Sequence, residues 1–159
     1  MQILVTGAAG FIGSATASAL ARRGFQVLAI DNFSPYYSTQ LKQFRCKVLL
    51  NSEHIEFRNC DISDLNALKQ IFAEYEFSSI IHLAAQAGVR LPLMDWSNYT
   101  RDNLQGFGNL ITIAANNGIE NFLYASSSSI YGNSSSKKFT ESELAPAPVS
   151  FYGATKLAN

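Results

Sequence analysis

Val5-Thr6-Gly7-Ala8-Ala9-Gly10-Phe11-Ile12-Gly13 follows a short apolar run at residues 2–5 and opens a segment of helical period. Gly7, Gly10 and Gly13 stand at G-x-x-G-x-x-G spacing between a strand and a helix. Missing side chains let backbone turn tightly and approach a pyrophosphate, while the helix N-terminus offers free N–H groups and a positive dipole end. A glycine triplet alone is weak evidence. In this strand–turn–helix context it reads as a dinucleotide cradle, with Phe11 and Ile12 opening the helix beside it.

The same alternation of short apolar runs and helical segments continues along the chain, as parallel βαβ units require. Strands are expected at residues 2–5, 26–30, 55–58, 79–83 and 121–126, with helices at 11–23, 41–50, from about 65, and 98–117. Gly24 suits the left-handed turn after the first helix. Ser38 or Thr39 is expected to cap the second helix and Ser63 the third. Leu65, Leu68, Ile71 and Phe72 form an apolar stripe on that third helix. The expected fold is α/β, a doubly wound parallel sheet of order 3-2-1-4-5. Residues 84–95 and 127–150 read as loops, the second long enough to be functional or disordered, with a mobile tip near Ser134 to Lys138.

In such a sheet ligands bind at the strand C-termini. Asp31, before Asn32, ends the second strand where a carboxylate can accept hydrogen bonds from an adenosine ribose. Its charge would repel a 2′-phosphate, which favours NAD over NADP; the plainer alternative is a turn residue. Asp61 and Ile62 after strand three, and Leu83, Ala84 and Ala85 after strand four, fall at the same edge. The small residues would let a cofactor lie against backbone.

Tyr152-Gly153-Ala154-Thr155-Lys156 sets a phenol and an ammonium on one helix face, one turn apart. A phenol ordinarily ionises near pH ~10, and a neighbouring cation favours the phenolate. Tyr152 could then take a proton from a substrate hydroxyl while the attached carbon gives up hydride. Strand five runs into Ser126-Ser127-Ser128-Ser129, hydroxyls suited to a sugar, with Ser127 placed to bond the reacting oxygen. A polar strand exit satisfied by backbone is the bland alternative.

The 159 residues fit one domain, and 12 Lys+Arg against 12 Asp+Glu give no electrostatic case for nucleic acid. No apolar run approaches the ~20 residues of a membrane span. No secretory leader is evident, and Cys46 and Cys60 lack disulfide or metal-ligand patterning, so a cytoplasmic protein with reduced thiols and no metal is expected. His82, inside an apolar run, reads as packing.

From Thr6-Gly7-Ala8-Ala9-Gly10-Phe11-Ile12-Gly13 through Tyr152 and Lys156, the chain resembles the extended short-chain dehydrogenase/reductases of the NAD-dependent epimerase/dehydratase family. Asp31-Asn32-Phe33 with Tyr36-Tyr37, His82-Leu83-Ala84-Ala85-Gln86-Ala87-Gly88-Val89-Arg90, Ala125 to Gly132 and Val149 to Lys156 resemble the UDP-glucuronate 4-epimerases in particular. The resemblance implies NAD as cofactor, a UDP-sugar as substrate and a homodimeric parent. It implies Tyr152 as base, Lys156 as its modifier and ribose ligand, Ser127 as the catalytic hydroxyl, and Asn103 near the cofactor. It implies oxidation at C4, rotation of the 4-keto sugar and return of the hydride to its other face.

Relatives that eliminate water carry Asp-Glu where this chain has Ser128-Ser129, and those that decarboxylate UDP-glucuronate carry Glu at the second place. Two neutral hydroxyls avoid a misplaced proton donor and could bond a carboxylate; Arg90 could add charge there as a further substrate contact or equally be a surface or phosphate contact. Family members are about twice this length. The resemblance therefore implies that the chain stops before the last strands and the substrate domain, and that it is inactive alone. The rival expectations are 4-epimerisation of another UDP-hexose, or a nucleotide-binding module without turnover.

Overall fold

The computed structural model describes residues 2–89, 96–133, 138–142 and 148–159. Five parallel strands form one sheet in the order β3-β2-β1-β4-β5, as expected. They are β1 (Gln2–Thr6), β2 (Gln26–Asp31), β3 (Ile55–Asn59), β4 (Phe77–His82) and β5 (Asn121–Tyr124). Helices α1 (Phe11–Ala21), α2 (Thr39–Leu49), α3 (Leu65–Glu74), α4 (Trp96–Tyr99), α5 (Gly106–Asn116) and α6 (Phe151–Ala158) complete it, with a π-helical segment, Thr100–Gln105, between α4 and α5. The Arg90 assignment, the tip at residues 134–137 and part of each long loop lie outside the described residues.

Strand period explains the two cores, because successive side chains leave opposite faces. Leu4, Leu28, Ile30 and Ile80 pack under α3 and α5 with Leu68, Leu110 and Ile113. Ile3, Val5, Val27 and Ala29 pack under α1 with Ala17, and Leu50 at the end of α2 joins them. A strand apolar on both faces is what a parallel sheet between helical layers demands.

Local chemistry sets the boundaries. Gly24 takes φ +84° after α1, and Ser38 Oγ accepts from Leu41 N–H at 3.3 Å to cap α2. The expected Ser63 cap is corrected to Asp64, whose Oδ1 accepts from Asn66 and Ala67 N–H at 2.9 and 3.0 Å. Ser63 is engaged elsewhere: its N–H and Oγ–H both donate to Asp61 Oδ1, at 2.8 and 2.7 Å. The expected uniform helix over 98–117 is also corrected. It is already helical at Trp96, where the described residues resume, and is interrupted by the π segment, which turns Asp102 and Asn103 inward, 6% and 1% exposed. Such insertions cluster at functional sites. Among the described residues, no helix is long and apolar enough to cross a membrane.

Candidate active site

At the carboxyl edge of the sheet the glycine loop closes on the exit of β4. Gly7 has φ +68°, and a Cβ there would stand 2.7 Å from Ala84 N. A Cβ on Gly13 would stand 2.1 Å from the Gly7 carbonyl oxygen, so any side chain would force strand and helix apart. Thr6, fully buried, ties this together. Its Oγ1 accepts from Leu83 and Ala84 N–H at 3.2 and 3.1 Å and pairs with His82 Nδ1 at 2.7 Å. With two N–H groups already donating to it, the hydroxyl gives its own proton to the ring nitrogen. Burial and the nearby Lys156 charge push the His82 imidazole down to about 3, so the ring is neutral, packed by Phe107 and Phe122.

Above this loop lies a cavity of about 340 Å³. Gly7, Gly10, Phe11, Ile12, Gly13, Asp31, Asn32, Ile62, Leu83, Ala84 and Ala85 all line it. No side chain caps the α1 N-terminus that faces it. A cradle that any Cβ would fill, an uncapped helix start and an acidic residue at the end of β2 fit the diphosphate and ribose of a dinucleotide in close backbone approach and charge.

Asp31 is 7% exposed. Its Oδ1 accepts from Phe33 N–H at 2.8 Å and its Oδ2 from Ala9 N–H at 3.1 Å, so it is also the turn residue of the plainer reading. Lys42 Nζ stands 3.5 Å from Oδ1, both side chains nearly buried. Asp61 does not line the cavity but braces its rim, accepting from Asn32 Nδ2 at 3.0 Å. Burial alone would raise the Asp61 carboxyl, yet the hydrogen bonds from Asn32 and Ser63 outweigh it and hold the group below the usual carboxylate range. Cys60, on the cavity wall, is pushed up to about 11 by burial and the carboxylates of Asp61 and Asp64, which makes it an inert thiol.

Tyr152 and Lys156 sit on α6 at the far end of the same edge. Ser150 Oγ caps α6 through Gly153 N–H at 3.0 Å. Lys156, 6% exposed, donates from Nζ to the Ala125 carbonyl at 2.9 Å, just beyond β5, and burial lowers its ionisation. Ala125 also lines the cavity, so Lys156 reaches its wall. A Cβ on Gly153 would stand 2.8 Å from the Ser129 carbonyl oxygen; α6 therefore rests directly on the serine run. Ser127 caps a 3₁₀ turn, Ser128–Tyr131, by accepting from Ser129 N–H at 3.2 Å. Tyr152 packs beside Tyr99, ring centroids 6.2 Å apart.

Asn103 is placed otherwise than a cofactor ligand. Its Oδ1 accepts from Gln86 N–H at 2.8 Å, and its Nδ2 donates to Gln86 O at 3.1 Å and Thr155 Oγ1 at 3.0 Å. The amide makes three hydrogen bonds within the protein and joins the β4 exit to α6. Sequence reasoning missed Tyr37, Lys42, Arg45 and Asp102, which also line the cavity. Lys42 and Arg45 stand three apart on α2, a one-face spacing directly after the Asp31 loop, and that signal was available.

The family model of the NAD dependent epimerase/dehydratases matches residues 3–159. The chain belongs to that family. Among curated family members, UDP-glucuronate 4-epimerase 2 of Arabidopsis thaliana is 42% identical over 159 residues, covering 99% of this chain and 36% of that one. Protein CapI of Staphylococcus aureus is 38% identical, covering 100% and 47%. The solved UDP-glucuronic acid 4-epimerase from Bacillus cereus, in complex with UDP-glucuronic acid and NAD, superposes with TM-score 0.86 at 35% identity, covering 99% of this chain and 49% of that one. The Thermus thermophilus UDP-glucose 4-epimerase complex with NAD gives 0.83 at 31% identity, with 99% and 48% covered. The chain thus spans between about a third and a half of the relatives it matches.

Proposed function

We propose that this chain is the cofactor-binding and catalytic-edge part of an NAD-dependent nucleotide-sugar 4-epimerase acting on UDP-glucuronate. The observation that carries the reading is the joining of two motifs at one sheet edge. Lys156 of α6 bonds Ala125 on the wall of the glycine-loop cavity, and α6 lies against the serine run. When bound, NAD supplies the hydride acceptor and, after rotation of the sugar, the donor.

The protein's own groups handle the proton. Tyr152 removes it from the C4 hydroxyl, Lys156 is the cation one helical turn along from it, and Ser127 holds the reacting oxygen. Ser128 and Ser129 are neutral, which suits a uronate whose 4-keto form is a β-keto acid prone to lose CO₂. Gly7, Gly10 and Gly13 receive the pyrophosphate, Asp31 the adenosine ribose and Ile62 the adenine, while Asp61 supports that end of the site by holding Asn32. Asn103 and Thr155 hold the reacting helix against the β4 exit. Exposed Ile111 on α5 and Leu157 on α6 offer apolar area for a homodimer of the parent.

A second reading keeps the chemistry and changes the sugar, since the similar Thermus enzyme is a UDP-glucose 4-epimerase. Both are tested by incubating the longest available gene product that contains this chain with NAD⁺ and either UDP-glucuronate or UDP-glucose, then resolving products by anion-exchange chromatography. The first predicts UDP-galacturonate without accumulated NADH. UDP-galactose alone would favour the second, and a UDP-pentose product would overturn both. NAD⁺ binding with no conversion of either sugar would leave a binding module.

A further inference from the structure

The adenosine-ribose end of the cavity holds more positive charge than a site for NAD needs. Lys42 and Arg45 project from one face of α2 into the same space as Asp31. Lys42 Nζ lies 5.0 Å from the Tyr37 ring centroid, and Arg45 Cζ lies 5.6 Å from that same centroid. Arg45 Nη1 donates to Tyr37 Oη at 2.9 Å, which fixes the guanidinium over the mouth. The ion pairs among the described residues give Lys42 to Asp31 and leave Arg45 without a carboxylate within 4.0 Å. Two cations therefore face one carboxylate, beside the positive end of α1.

We propose that Lys42 and Arg45 form a latent 2′-phosphate subsite, and that the Asp31 carboxylate is the only group holding it to a cofactor with a free 2′-hydroxyl. The inference rests on the dinucleotide reading of the cavity and goes beyond it. Simple repulsion by Asp31 does not describe this site, because Lys42 already offsets its charge. Exclusion works by occupancy instead: Asp31 takes the Lys42 ammonium that a phosphate would otherwise claim. Without the carboxylate, Lys42 becomes a nearly buried cation lacking an anion, an arrangement that strongly favours a new anionic partner. A 2′-phosphate supplies one, met by Lys42 as a point charge and by Arg45 with its planar fork.

Asp31→Asn tests this: its single amide oxygen accepts from either the Ala9 or the Phe33 N–H and the other N–H loses its partner, so folding of the variant is checked alongside binding. The whole chain is titrated calorimetrically with NAD⁺ and with NADP⁺ at low salt, and melting curves confirm that each variant is folded. The expected result is NADP⁺ binding at least about tenfold tighter than in the unmutated protein, with NAD⁺ weakened. Adding Arg45→Gln to Asp31→Asn should remove most of that gain. Should Asp31→Asn not fold, Arg45→Gln in the unmutated background replaces it and should weaken NADP⁺ severalfold more than NAD⁺. The inference falls alone if NAD⁺ still binds while Asp31→Asn gains nothing for NADP⁺, or if Arg45→Gln weakens both dinucleotides equally. Failure of the unmutated chain to bind NAD⁺ would remove the dinucleotide reading and this inference together.

Discussion

The two ends of the sheet's carboxyl edge are built differently. At the glycine-loop end, β1 and β2 are buried along nearly their whole length, with Leu4, Val5, Leu28, Ala29 and Ile30 at 0% exposure. At the reacting end, β5 has only four residues, and Leu123 and Tyr124 are 57% and 43% exposed. Helix α6 spans eight residues, below the roughly 12 at which isolated helices gain stability of their own. It is held by specific bonds: Lys156 to Ala125, Asn103 to Thr155, and Ser150 across its first turn. The glycine-loop end is fixed by bulk apolar packing, whereas the end at β5 and α6 is fixed by a few polar contacts. Chemistry at the second end can therefore be altered with little effect on the first.

The largest expected effect follows from that separation. Tyr152→Phe should lower epimerase turnover by roughly 10²- to 10⁴-fold, the usual contribution of a positioned acid–base group. NAD⁺ affinity and melting temperature should barely move, because the ring still packs on Tyr99. Full turnover in this variant would remove Tyr152 as the base. Next, Leu28→Ala should cost about 3–5 kcal/mol in urea unfolding, as core truncations do, while Leu123→Ala should stay within about 0.5 kcal/mol. Similar losses at both sites would mean that the contrast in packing does not extend to energy.

An intermediate effect comes from His82, beneath both ends. Its folded value of about 3 lies below the unfolded 6.5. The unfolded chain therefore binds the extra proton first as pH falls. The stabilising effect is complete above pH 6.5 and is lost progressively on acidification toward 3, by about 1.4 kcal/mol per pH unit. Between pH 7 and 5 the protein should lose about 2 kcal/mol from this group, and His82→Gln should flatten that part of the profile. An unchanged slope would assign the acid loss to carboxylates such as Asp61, whose lowered pKa acts in the same direction at lower pH.

The sheet order, the glycine cradle and the strand-end residues were legible because they depend on local rules: period, turn chemistry and strand polarity. The cap of α3 was misread because Ser63 and Asp64 are both good caps, and only the folded Asp61 carboxylate decides which is free. The π segment left no trace in apolar period, since its consequence is the inward turn of two polar residues. Asn103 was placed near the cofactor by resemblance, but its partners come from residues 17 and 52 positions away, a pairing that no spacing rule reveals. Lys42 was overlooked for the opposite reason. A lysine on an amphipathic helix reads as solvent-facing until the chain folds it onto Asp31.

The smallest expected effect is the most informative about how the two ends communicate. Thr155 is 2% exposed, and its Oγ1 donates to the Tyr152 carbonyl at 2.8 Å while accepting from Asn103 Nδ2 at 3.0 Å. Thr155→Val keeps the shape and deletes the hydroxyl, leaving one amide proton of Asn103 without its partner. The stability cost should be about 1 kcal/mol, typical of one buried hydrogen bond. Asn103 would still hold Gln86 through two bonds, so the β4 exit and the cavity should persist. Turnover should then fall severalfold while NAD⁺ affinity measured by calorimetry stays within about twofold, because only the α6 end has been loosened. A matching loss of NAD⁺ affinity would show that the reacting helix and the cradle form one cooperative unit, and the two-region description would have to be abandoned.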